Sequence, residues 1–281
     1  MTRSFFISDL HGHTDRYEKL IREIREHRPR LVFFGGDLLP HGMRRQVADD
    51  FTVDFLFARF SKLMEEMKED YPRIFLILGN DDPRTEERKF LELAGTGVWQ
   101  YLHNRKESYG MYTFYGYANV PPTPFRFKDW ERYDVSRYVD PGCIPPEEGF
   151  RTMEPGTDLA FATILDELKH LAGEGSMEKS VFLFHSPPYK THLDRAALDG
   201  MMIDHVPMDV HVGSIAIMRF IEERQPWLTM HGHIHESSRL TGQWKQTFGK
   251  TNAYTAAWDG PELALVDFDL DDPANAERRV I

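Results

Sequence analysis

The 281 residues include 41% hydrophobic side chains, enough to bury a sizeable core, and the length suits one large domain or two small ones. Against 34 Lys and Arg stand 45 Asp and Glu; the resulting net charge of -11 repels polyphosphate backbones and excludes long nucleic acid as an expected partner. A single cysteine, Cys143, rules out an intramolecular disulfide, and no apolar run approaches the roughly 18 residues that span a bilayer, so no membrane partner is expected.

The opening MTRSFFISDLHGH has one arginine and an apolar stretch too short for a signal sequence, which together with the lone cysteine points to a cytoplasmic protein. Residues 4–8 (SFFIS) read as a strand. It leads into TDRYEKLIREIREH, where Tyr17, Leu20, Ile21 and Ile24 share one helical face and Asp15 with Glu18 matches a capping box. A strand at 30–35 (RLVFFG), a helical pattern at about 47–70, a strand at 73–79 (RIFLILG) and a helix at about 84–94 follow. YGMYTFYGYANV, 109–120, reads as a later, more antiparallel strand. Residues 120–156 hold seven of the 17 prolines among Phe125, Phe127, Trp130, Tyr133 and Tyr138, which excludes a regular helix or central strand and marks an irregular insertion.

Beyond it, a helix is expected at 157–172 behind Thr157, then a strand at 180–184 (SVFLF). An irregular stretch at 186–213 places His192, His205 and His211 at ordinary loop positions. A helix at 214–224 stopped by Pro226, a strand at 227–232 (WLTMHG) and a more antiparallel strand at 262–270 (ELALVDFDL) complete the chain. The alternation of strands and helices predicts an α/β fold with a largely parallel core.

In parallel sheets, functional side chains collect beyond the carboxyl ends of the strands. Five predicted strands share this feature: Asp9 and His11 follow the first, Asp37 the second, Asn80 the third, His185 the fourth, and His233 and His235 the fifth. Two carboxylates, one amide oxygen and four imidazoles suit two divalent first-row cations, because carboxylate and carbonyl oxygens favour Mn or Fe and imidazole favours Fe, Zn or Co.

The ordered set DLHGH, GGD, GND, FHSPP and GHIH resembles the five motifs of the calcineurin-like metallophosphoesterase superfamily, over a span from 9 to 235. The resemblance implies an α/β, four-layer α/β/β/α sandwich of two facing mixed sheets with outer helices, here a single domain over 1–281 with 120–156 inserted. It also implies one cation held by Asp9, His11, Asp37 and His235, and another by Asp37, Asn80, His185 and His233, with Asp37 bridging. His231 carries no role in that scheme and stands either behind a ligand or in the core. The implied activity is hydrolysis of a small phosphodiester or phosphomonoester, nucleotides included, by in-line attack of a hydroxide held between two divalent ions (Mn, Fe or Zn, with Mn the ion expected to serve in vitro). The alternative is a binding or scaffold protein that keeps the fold with little or no catalysis.

Two positions depart from the family pattern. Asp81 stands where the third motif commonly has a histidine, and Pro40 stands where the second motif commonly has that histidine's orienting carboxylate. Three sources of the leaving-group proton stay open: a dyad of His41 with Asp81, Asp81 itself, or water. Asn80 and Asp81 are the expected substrate contacts at the motifs. Tyr189, Lys190, Arg126, Lys128 and Arg132 are the nearest further candidates for phosphate or base contacts.

Overall fold

The computed structural model describes residues 1–41, 50–156 and 158–281. The first half of the chain runs β1 (Arg3–Ile7), α1 (Thr14–His27), β2 (Leu31–Gly35), α2 (Ala58–Met67), β3 (Arg73–Ile77), α3 (Glu87–Ala94) and β4 (Gln100–Tyr101). A hairpin of β5 (Arg105–Tyr109) and β6 (Tyr112–Tyr117) then precedes the insertion. After it come α4 (Ile164–Ala172), β7 (Ser180–Phe184), a short hairpin of β8 (Met202–Ile203) and β9 (Val206–Pro207), α5 (Ile215–Arg224) and β10 (Leu228–His231). The chain ends with α6 (Ser237–Thr241), β11 (Lys245–Phe248), β12 (Thr251–Thr255), β13 (Ala264–Asp269) and β14 (Asp272–Val280).

The strands form two six-stranded mixed sheets, in the orders β14-β13-β1-β2-β3-β4 and β11-β12-β10-β7-β6-β5. Strands β1 to β4 are mutually parallel, as are β6, β7, β10 and β12; antiparallel partners extend both sheets. Aromatic rings join the two inner faces: Phe114 meets Phe33 and Phe75 with centroids 5.2 and 4.9 Å away. The period of two in β7 sorts its side chains, sending Val181 and Leu183 to the core between the sheets while Phe182 and Phe184 pack under α4 and α5. On the other outer face Phe34 meets Phe60 of α2, and α1 buries Tyr17, Leu20, Ile21 and Ile24. The expected four-layer α/β/β/α sandwich is therefore what the apolar pattern builds. Among the described residues, no helix is long and apolar enough to cross a membrane.

Several expected boundaries move. The predicted capping box at Asp15 and Glu18 does not form; His13 is the N-cap, without a side-chain cap bond, and Asp15 sits inside the first turn. The single strand expected at 109–120 breaks at Gly110, which takes φ +57, so that β5 and β6 form a hairpin in which β6 is antiparallel to β5, as expected of that stretch, and parallel to β7 on its other side. The helix expected from 157 starts at Ile164, because the cap is Thr163, whose Oγ1 accepts from Asp166 N; Thr157 lies outside the described residues. Of the helix expected at 47–70, residues 47–49 lie outside the described residues, and a π-helical stretch at Phe51–Phe57 precedes α2. Strands β11 and β14 escape the apolar pattern because they are edge strands, rich in polar side chains.

The insertion is half core and half surface: Trp130 and Tyr133 are buried, whereas Phe125, Tyr138 and Phe150 are exposed. Its anchor is a fully buried ion pair, Lys128 Nζ to Glu131 Oε2 at 2.5 Å, in which Glu131 also accepts from Thr123 N at 2.9 Å. Asp129 accepts from Arg84 N at 2.7 Å, and the Trp130 indole donates to Asp82 O at 2.7 Å. Asp134 accepts from Ile215 N and Ala216 N at the start of α5, at 2.6 and 3.2 Å. The segment thus ties the end of β3 to α5. Removing either partner of the buried pair, by Lys128→Met or Glu131→Gln, is expected to destabilise the fold by about 3–5 kcal/mol, while Lys128→Met with Glu131→Leu recovers most of the loss. Urea unfolding of the three variants checks the difference.

Candidate metal centre

The centre begins where the parallel ladder of β1 and β2 outruns its strands. Asp9 N donates to Gly36 O at 3.0 Å, His11 N to Asp37 O at 2.8 Å and Gly12 N to Leu38 O at 3.0 Å, so the two loops stay in register past the sheet. The chain turns sharply there: Asp9, His11, Asp37 and His233 take φ of 57, 46, 52 and 74°, in the left-handed region that costs a side chain about 1–3 kcal/mol. Gly36 needs to be glycine, since at φ +96 a Cβ would stand 2.6 Å from His185 Nδ1. Asp82 joins the third loop to the second by accepting from Leu38 N, Leu39 N and Gly79 N at 3.0, 2.8 and 2.9 Å.

These loops bring one ligand atom each from Asp9, His11, Asp37 and His235 within 4.8 Å of one another. His11 Nε2 stands 3.1 Å from His235 Nε2, which is 3.2 Å from Asp9 Oδ1. Beside them His185 Nε2 lies 3.3 Å from Asp37 Oδ2 and 2.8 Å from Asn80 Oδ1. The His233 ring packs against that of His185 at 5.2 Å, and its amide donates to Asp9 Oδ1 at 3.0 Å. Ligands that share a cation through bonds of about 2.0–2.2 Å stand roughly 3 Å apart, so the donor set fits bound cations. Asp9 Oδ2 adds to that fit, being buried with no hydrogen-bond partner.

Protonation without metal follows from crowding. Burial alone would raise both carboxyls, but the His235 hydrogen bond and charge hold Asp9 down to about 2, and His185 holds Asp37 lower still. Burial opposes charge on the imidazoles too; nevertheless, Asp37 carries His185 up to about 10 and Asp9 carries His235 up to about 9. His233, buried beside charged His185, falls to about 3, and burial lowers His11 as well.

His231 belongs to the core: it is buried, its two nitrogens meet Ser186 O and Thr229 Oγ1 at 2.9 Å each, and its ring stacks on Phe184. Asp81 and His41 come together at the rim, Oδ2 to Nδ1 at 3.3 Å, and burial followed by the charge of Asp37 raises Asp81 to about 6. His41, His11 and His235 line a cleft of about 360 Å³ together with His13, Arg16, Trp258 and Asp259.

None of the five further expected contacts lines that cleft. Lys128 is paired with Glu131 and Arg132 with Glu167, Tyr189 donates to Asp209 with Lys190 over its ring, and Arg126 is exposed on the insertion. His192, His205 and His211 stay in the 186–213 loop, where His211 meets buried Asp194 at 2.8 Å. Sequence reasoning missed Trp258, although the strand-end rule reaches it: WDG follows β12 as the candidate ligands follow their strands. Short, polar TNAYT did not announce that strand.

A profile of the calcineurin-like phosphoesterase family matches residues 2–237. The chain belongs to that family, the class that its paired sheets and His/Asp cluster define. Among solved structures, one is 17% identical at a TM-score of 0.60 and covers 99% of this chain and 98% of its own. TT1561 of Thermus thermophilus is 15% identical at a TM-score of 0.56, with the same coverage. At these identities the likeness speaks to the fold alone. Comparison with curated proteins finds no match.

Without metal, His185 and His235 are protonated at pH 7, and a cation must displace those protons. Cation uptake at pH 7 is therefore expected to release protons, with apparent affinity rising as pH climbs towards 9. Titration calorimetry with Mn²⁺ in two buffers of different ionisation enthalpy measures the release; proton-neutral uptake would contradict the arrangement.

Proposed function

We propose that this chain, folded as one domain over 1–281, is a dinuclear metal-dependent phosphoesterase acting on a small phosphodiester or phosphomonoester. The observation that carries the reading is the gathering of Asp9, His11, Asp37 and His235 within 4.8 Å, with a buried carboxylate oxygen left unpartnered among them. Asp9, His11, Asp37 and His235 would hold one ion and Asp37, Asn80, His185 and His233 the other. Mn, Fe and Zn suit these ligands, and Mn is the first choice in vitro. When bound, such ions neutralise phosphoryl oxygens and supply a nucleophile at neutral pH.

The chain's own groups do the rest. Strand-end loops locked by backbone bonds fix the donors, so little reorganisation accompanies substrate entry. Asn80 donates to Asp81 Oδ1 at 3.1 Å, which orients the amide at the edge of the substrate position. Asp81 faces His41 across 3.3 Å, and His41 lines the cleft where an ester's leaving oxygen would emerge. A His41–Asp81 dyad thereby becomes the proposed proton donor, in place of the family's usual histidine. The lone, half-buried Cys143 fits a reducing, cytoplasmic setting.

Hydrolysis of bis-p-nitrophenyl phosphate and p-nitrophenyl phosphate should depend on Mn²⁺ and disappear in His235→Ala. A protein that binds two ions and turns over neither ester would instead be the binding protein of this fold. His41→Ala should slow an alkyl phosphate ester by about 10²-fold or more, with little effect on p-nitrophenyl esters, whose leaving group needs no acid. Equal rates of wild type and His41→Ala on the alkyl ester would remove the dyad.

A further inference from the structure

The metal centre bears on the reacting phosphorus and not on the group that the ester carries. The rest of the cleft lining bears on that group, because Trp258 shares the cleft with His11 and His235. Three contacts prevent the indole from turning. Its N–H donates to Glu262 Oε2 at 3.0 Å, and the Arg278 guanidinium lies 5.3 Å from the ring centroid. Gly260 packs so closely against the indole nitrogen that any Cβ there would collide with it. Arg278 is itself fixed by donating to Ala257 O at 2.8 Å.

Trp258 is also held in register with the centre. Arg16 is buried, and its guanidinium donates to Asp9 O at 2.8 Å and to Gly260 O at 2.5 Å, joining the backbone of an expected ligand to the segment that carries Trp258. The Arg16 nitrogens face backbone carbonyls, and the other acid-base pair at the rim, Asp259 with Arg239 at 2.7 Å, is closed on itself. What remains toward the cleft is half-buried Trp258, not a cluster of cations suited to a second phosphate.

Resting on the phosphoesterase reading, we propose that Trp258 is a specificity-determining residue that stacks a planar aromatic group of the substrate, whether nucleobase or aryl. A cleft of about 360 Å³ holds a group of that size. Stacking on an aromatic side chain tolerates many rings because each has a π-face, so the preference is for planarity and not for one base. Polyphosphates and simple sugar phosphates are correspondingly poor substrates.

Non-hydrolysable phosphonates separate binding from turnover. On the Mn²⁺-loaded protein, titration calorimetry should find phenylphosphonate bound about tenfold more tightly than methylphosphonate. That ratio should fall to about one in Trp258→Leu, which keeps bulk without a π-face, and should persist in Trp258→Phe. A ratio unchanged in Trp258→Leu, or equal affinities in wild type, overturns the proposal, as does failure of both phosphonates to bind. Thermal melting of each variant confirms a folded chain.

Initial rates on thymidine 5′-p-nitrophenyl phosphate and phenyl p-nitrophenyl phosphate then identify the ring. Loss in Trp258→Leu on the thymidine ester alone assigns a nucleobase, and loss on both assigns planar groups generally. If wild type hydrolyses neither diester while the phosphonate ratio still depends on Trp258, the phosphoesterase reading fails and stacking on Trp258 stands.

Discussion

Asp9 and Asp37 are 1% and 2% exposed, and both are ionised. An isolated buried carboxylate costs several kcal/mol, so two of them within one cluster demand positive charge or strong donors close by. Much of the molecule answers that demand. Imidazoles from three different strand ends converge on the pair, and backbone amides of Asp81 and His233 point at its oxygens. Left-handed turns at Asp9, His11, Asp37 and His233 are the local cost of aiming these groups inward.

Those turns are held from outside the cluster as well. Asp82 gathers three amides from the second and third loops, and Trp130 from the insertion in turn donates to Asp82 O. The insertion takes its shape from the buried Lys128–Glu131 pair, and Asp134 secures its far side to α5. A chain of hydrogen bonds therefore runs from an irregular surface segment to the ends of β2 and β3. This gives 120–156 a structural part: it braces the loops and contributes no side chain to the cleft beside them.

The legible parts of the sequence were those whose local pattern matches their environment. SVFLF, RLVFFG and RIFLILG are buried strands and read as such, and each delivers its polar residue just past the last ladder bond because parallel strands all end on one side. Edge strands β11 and β14 were illegible, since a strand with one solvated side need not be apolar. The helix start expected at Asp15 failed for another reason. A capping pattern specifies a start only if the chain enters from the right direction, and here the tight turn at His11–Gly12 leaves His13 in that place.

By itself the sequence determined the buried parallel strands, the order of the motifs that follow them and the kind of chemistry that two carboxylates, an amide and four imidazoles can support. These follow from periodicity and side-chain type, which are local properties. Tertiary structure alone decided which cations stay available. Lys128 and Arg132 looked like substrate contacts until folding placed Glu131 and Glu167 beside them, while Arg16 was committed to carbonyls of Asp9 and Gly260. It also decided that Trp258, almost the whole chain away from Asp9, faces the same cleft as His11. Burial and pairing are relations between distant residues, and no window along the chain contains both members.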